Sequence, residues 1–201
     1  MSKEVLEMAA KMGFREIETK LILQCSPFIV GLRPSSLLII PTDEYEALVG
    51  ILENTSIEHK VLLGNFEKIV VLLYDVERLE QYLMAEKTKR LLFGLGYKKT
   101  NVSYVINKFI ERYKKYDIDK SDFPHEMGIV LGYPVEDVEG FIKNEGRNFL
   151  YSGYWKVYEN IEEKKRIFRK FEKARDSLMV LFANGINVKD IINIYNQKIA
   201  V

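Results

Sequence analysis

IVVLLY, residues 69–74, is the stretch on which the fold turns. Six apolar residues in a row, rich in β-branched types and without polar alternation, predict a strand covered on both faces, as in a parallel or mixed sheet. Asp75 follows at once and predicts a helix through about Phe93, ended by Gly94 and Gly96. Upstream, LLII (37–40) is a second short apolar run. It predicts a buried strand that stops at Pro41. Thr42 or Asp43 can cap a helix through about Leu52, and Asp43 and Glu44 suit its first turn. Strand, helix, strand, helix from 37 to 93 predicts a βαβα unit with a right-handed crossover. Between the two halves, KVLL within 54–68 fits either a strand or a turn of helix.

Outside this unit the pattern is mostly helical. Apolar residues recur at helical spacing over 2–24, with Gly13 as a weak point. CSPFIVGLRPSS (25–36) then places Pro27, Gly31 and Pro34 close together and reads as a structured loop. Helices are expected at Val102–Tyr116, about 124–131, about 134–145, 160–183 and Val188–Tyr195. GYWKVY (153–158) reads as a strand in which Tyr154, Lys156 and Tyr158 alternate with Trp155 and Val157. The expectation is an α/β fold in one domain, 1–201: a small mixed β-sheet flanked by helices, with a helix-rich C-terminal half.

Composition narrows the function classes. The 201 residues carry 30 basic and 29 acidic side chains, a net charge of +1, so no global field draws the chain to nucleic acid or an anionic membrane. The single cysteine, Cys25, excludes an internal disulfide and a Cys-rich zinc site and fits a reducing compartment. The N-terminus is charged throughout, unlike a signal peptide, and no segment approaches eighteen uninterrupted apolar residues. The expected setting is cytoplasmic and soluble, with no membrane partner.

The stretch FPHEMGIVLGYPVEDVEGFI (123–142) raises the question of chemistry. Pro124 suits a first helical turn, Gly132 a left-handed helix end, Tyr133 an extended link, and Pro134 the start of the next helix. One reading is a DNA-binding helix-turn-helix. Glu136, Asp137, Glu139 and Glu145 on the second helix oppose it, because duplex binding needs Lys or Arg against phosphates. A second reading is nucleophilic catalysis, with Cys25 as thiol, His125 as base and Glu126 as its orienting group. His59 and His125 have no Cys or His at ligand spacing, so no metal site is expected. A third reading takes Trp155, the tyrosines around it and Lys156 as faces and a charge for a flat or anionic ligand. Against each stands packing: a buried cysteine, a hydrogen-bonded histidine, aromatics under a helix.

Three segments together carry a resemblance: CSPFIVGLRPSSL (25–37), PHEMGIVLGYPVEDVEGFI (124–142) and GYWKVY (153–158). They resemble an uncharacterised domain-of-unknown-function family of clostridia and related anaerobes, with the pattern C-A-P-x-L-x-G-x-K-P, then F-P-H-E-I-G-x-F-L-G-Y-P-x-x-D-V-x-G-F-I, then G-x-W-K-V-Y. Ser26, Arg33, Met127 and Val130 depart from it without changing the chemistry on offer. The resemblance implies a link to iron, haem or flavodoxin redox physiology, and no reaction or cofactor. It centres on Cys25, Pro27, Gly31, His125, Glu126, Gly132, Tyr133, Trp155 and Lys156. The expected function is a ligand- or partner-binding accessory protein, with a Cys-His thiol hydrolase or transferase as alternative and a helix-turn-helix DNA-binding protein as second alternative.

Overall fold

The computed structural model describes Glu7 and residues 16–199, with side chains up to Asn196. Most of the helix expected over 2–24 therefore lies outside the described residues. The chain forms two compact units, the first from residues up to Asp75 together with those from Arg169 onward, the second from Val76–Phe168.

The first unit begins with helix α1 (Ile17–Ile29), then strand β1 (Ser35–Pro41), a 3₁₀ turn (Thr42–Glu44), α2 (Tyr45–Leu52), β2 (Ile57–Gly64) and β3 (Lys68–Asp75). The sheet order is β1-β3-β2 and every pairing is antiparallel. This corrects the expected crossover. KVLL belongs to β2, and β2 turns straight into β3 through Asn65, whose side chain accepts from the Glu67 and Lys68 amides at 2.8 and 2.9 Å. β3 thus returns antiparallel to β2 and takes the middle place beside β1. Its central position explains its apolar run: Ile69, Val71 and Leu73 join the core, and Leu72 and Tyr74 are buried too.

α1 also departs from expectation. It runs on through Cys25, Pro27 and Ile29, where a loop was predicted. Leu21, Ile22, Cys25, Phe28 and Ile29 form one buried stripe at helical spacing. Pro27 lies two residues from the helix end, so it removes one bond of the ladder while the burial of Phe28 and Ile29 holds the last turn. α1 also blunts the open edge of β1. The Gln24 side chain accepts from the Ile39 amide at 3.2 Å and donates to its carbonyl at 3.4 Å, standing in for a neighbouring strand. Leu178, Met179 and Phe182 of α8 (Ile161–Ala183) and Val188, Ile191 and Ile192 of α9 (Val188–Ile199) complete this core.

The second unit contains α3 (Val76–Met84), α4 (Glu86–Gly94), α5 (Val102–Asp119), α6 (Met127–Val130), α7 (Val135–Lys143), the short strands β4 (Tyr151–Ser152) and β5 (Lys156–Val157), and α8 up to Phe168. The single helix expected to follow Asp75 is two, because Ala85 is extended at ψ 136°. Asn101 caps α5 by accepting from the Tyr104 amide at 2.9 Å. GYWKVY is a strand only at Lys156–Val157. Gly153–Trp155 form the turn of a hairpin in which Ser152 faces Lys156, and the Gly153 amide donates to the Trp155 carbonyl at 3.1 Å. The small sheet, its helices and the helix-rich C-terminal half match the expected class, with the sheet antiparallel rather than mixed.

Candidate functional site

The 123–142 corner is fixed by its backbone. Gly132 takes φ 70° after α6. Its amide donates to the Ile129 carbonyl at 2.9 Å, and the Tyr133 amide donates to the Gly128 carbonyl at 2.8 Å. These are the paired bonds of a Schellman helix end, which favours glycine because an L side chain strains that φ. The same device ends α1: Gly31 sits at φ 81°, its amide donates to the Phe28 carbonyl at 3.0 Å and that of Leu32 to Pro27 at 2.8 Å. Pro27, Gly31 and Gly132 therefore stand at helix ends. Tyr82 fixes the link by donating its hydroxyl to the Tyr133 carbonyl.

Asp137, in the first turn of α7, clasps the hairpin to the corner. It is 2% exposed. Trp155 donates its indole N–H to Oδ2 at 2.7 Å, and the Tyr158 amide donates to Oδ1 at 2.8 Å. α7 and Tyr158 pack so closely that a Cβ on Gly140 would fall 2.4 Å from the Tyr158 ring. Glu136 pairs with Lys164 of α8, whose side chain is 2% exposed. The first turn of the would-be DNA-reading helix is thus committed to internal partners.

Glu126 is fully buried. Tyr97 donates its hydroxyl to Oε1 at 2.9 Å, and Arg112 places Nε 3.1 Å from the same oxygen. Burial, reinforced by the negative Glu126, raises the Tyr97 hydroxyl above the ordinary tyrosine range. Arg112 also donates to the Leu95 carbonyl at 3.0 Å. His125 packs edge-on against Phe123, ring centres 5.5 Å apart, and against Phe141 at 5.9 Å. Burial holds its imidazole below the usual histidine range; Glu126 opposes that shift and Arg112 adds to it. Among the described residues, His125 Nδ1 and Glu126 Oε2 are buried without a hydrogen-bond partner.

These parts enclose a cavity of about 270 Å³ in the second unit. Phe123, His125 and Phe141 line it from the corner, and Tyr133, Tyr154, Trp155 and Lys156 also line it. Tyr133 stacks on Trp155 with ring centres 5.0 Å apart and planes 25° from parallel. Phe168 of α8 meets the same indole edge-on at 4.6 Å. Trp155 and Lys156 line one cavity because the chain turns at Gly153–Trp155; a regular strand would send them to opposite faces. A second cavity of about 400 Å³, lined by Arg112, Lys115, Tyr116 and Asp122, shares Phe123 and His125 with the first.

Of the residues singled out in the sequence, His125, Tyr133, Trp155 and Lys156 line the first cavity, and Glu126 and Gly132 support the corner beneath it. Cys25 belongs to the first unit. It is fully buried among apolar side chains, with Sγ 4.0 Å from the Leu37 carbonyl. Burial pushes its thiol up to about 12, outweighing the hydrogen bond from Ser36 and the charge of Arg33. A thiol so placed stays protonated at neutral pH, and the thiolate is the nucleophile. Sequence reasoning missed Phe123, Phe141 and the clasp of Asp137. The apolar spacing of Phe141 marked only a buried helix face, and nothing local marks Asp137 as a buried acceptor. Among the described residues, no group of three or more His, Cys, Asp or Glu is placed to hold a metal ion. No helix among them is long and apolar enough to cross a membrane.

No curated protein and no solved structure matches the chain. One family does match, over residues 21–192, a span that takes in the α1 end, the corner and the hairpin. The chain belongs to this family, described as a protein of unknown function (DUF3793).

Proposed function

We propose that the protein is a small-molecule-binding accessory protein, and that its ligand is a single planar ring system held in the cavity between the His125 corner and the Trp155 hairpin. The observation that carries this is the cavity itself: about 270 Å³, walled by Phe123, His125, Tyr133, Phe141, Tyr154 and Trp155. Binding sites for small molecules are concave and mostly apolar, with a few polar groups that set orientation. Here those groups are His125 and Lys156. Rigid aromatics on two clasped elements give a preformed site, which lowers the entropy lost on binding. The volume falls just below the range of about 300–1,000 Å³ common for ligand pockets. It suits one ring system better than a whole haem, so an iron, haem or flavodoxin setting enters as a source of small ring-bearing metabolites. A cytoplasmic location belongs to the same proposal. Duplex DNA does not, since the first turn of α7 is committed to internal partners, Glu136 to Lys164 and Asp137 to Trp155 and Tyr158.

The protein's only tryptophan lines the cavity and serves as the probe. Titration of non-fluorescent planar ring compounds should change Trp155 emission saturably, and Phe141→Ala should abolish the change. A library of such compounds that leaves the emission unaltered would defeat the reading.

A further inference from the structure

We infer that the ligand is an anion: a planar aromatic molecule carrying a carboxylate or phosphate group that meets Lys156. The inference rests on the ligand-binding reading above and adds the ligand's charge and the residue that selects it. Lys156 puts the one lysine into a cavity wall otherwise made of rings, apolar side chains, His125 and Asp137. Its Nζ donates to the Gly146 carbonyl at 2.7 Å. It lies 5.6 Å from the centre of the Phe141 ring and 5.1 Å from that of Phe149. An ammonium carries three donors, and the carbonyl takes one.

The charge is not cancelled within the wall. The one carboxylate that lines the cavity, Asp137, is 2% exposed, and its two oxygens receive the Trp155 indole and the Tyr158 amide. A cation held beside the Phe141 and Phe149 rings attracts an anion more than one in open water does, because the apolar neighbours screen it less. An aromatic box also suits an organic cation, but Lys156 in the wall repels one. His125 lines the same cavity and adds a polar ring to its wall. Rings for the plane and Lys156 for the charge together describe an anionic aromatic compound.

The test is calorimetric titration of the full chain with 2-naphthoate, 2-naphthyl phosphate and the neutral 2-naphthamide. At least one anion should bind about tenfold more tightly than the amide, the worth of one charge-assisted hydrogen bond. Lys156→Met should bring the anions to within about twofold of the amide measured in the same variant. Lys156→Gln, which keeps a donor for Gly146, serves if the Met variant does not fold. Equal affinity for amide and anions in the unmodified protein, or a preference that survives loss of Lys156, overturns the inference and leaves the pocket reading standing. Binding by none of the three overturns both.

Discussion

Asp137→Ala is the substitution that tests most of the structure at once. It removes the acceptor of the Trp155 indole N–H at 2.7 Å and of the Tyr158 amide at 2.8 Å. Hydrogen bonds to a charged group contribute about 1.5–3 kcal/mol each. The Trp155 bond is buried and retains that value. The Tyr158 amide lies on a half-buried residue beside exposed Glu159, so water can replace part of its bond. The Glu159 amide, 3.4 Å from the same oxygen, adds little. The expected loss is about 3 kcal/mol, a large share of the roughly 5–15 kcal/mol that holds a folded protein together. Asp137→Asn should cost about half as much, because its amide retains one acceptor oxygen and turns a donor toward the other N–H. The assay is urea unfolding followed by Trp155 emission and, independently, by far-ultraviolet circular dichroism. A loss below about 1 kcal/mol for the Ala variant, within the range of an ordinary surface change, would refute the clasp. So would an Asn variant as damaged as the Ala variant. Because Asp137 joins the two walls of the cavity, ring-compound binding should weaken in the same order, Asn before Ala.

Three further outcomes are expected. Gly132→Ala should lower stability by about 1 kcal/mol, since φ 70° at the helix end disfavours a side chain; an unchanged denaturation midpoint would contradict this. Cys25 should resist thiol reagents in the native protein and react at the unfolding rate, because it is fully buried and its thiol lies near 12; rapid native labelling at pH 8 would show an open site. His125 should make stability fall as the pH drops. Its folded pKa is depressed by burial, so the unfolded chain takes up the proton first, and stability present above the unfolded value of about 6.5 is lost progressively below it. Comparing urea midpoints at pH 7.5 and 5.5 for the unmodified protein and His125→Phe should show a smaller drop in the variant, and equal drops would count against a buried, neutral imidazole.

The sequence by itself determined the local structure wherever a backbone rule or a long apolar period applied. The unbroken run at 69–74 marked the central strand, the Gly132-Tyr133-Pro134 corner marked a helix end and a new start, and the period over 160–183 marked the long helix. These signals act over a few residues and need no distant partner. Where the outcome depended on a remote surface, only the tertiary structure decided. The antiparallel sense of β1 and β3 followed from KVLL becoming a strand that turns directly into β3. α1 ran through Pro27 because burying Phe28 and Ile29 outweighs one missing hydrogen bond. The candidate site was legible as a set of residue types, His125, Tyr133, Trp155 and Lys156. That Trp155 and Lys156 share a cavity depends on a turn at Gly153–Trp155, and that the hairpin is held there depends on Asp137, a carboxylate whose burial no local pattern announces. Charge burial is set by what the rest of the chain brings to the group, and a linear pattern does not contain that information.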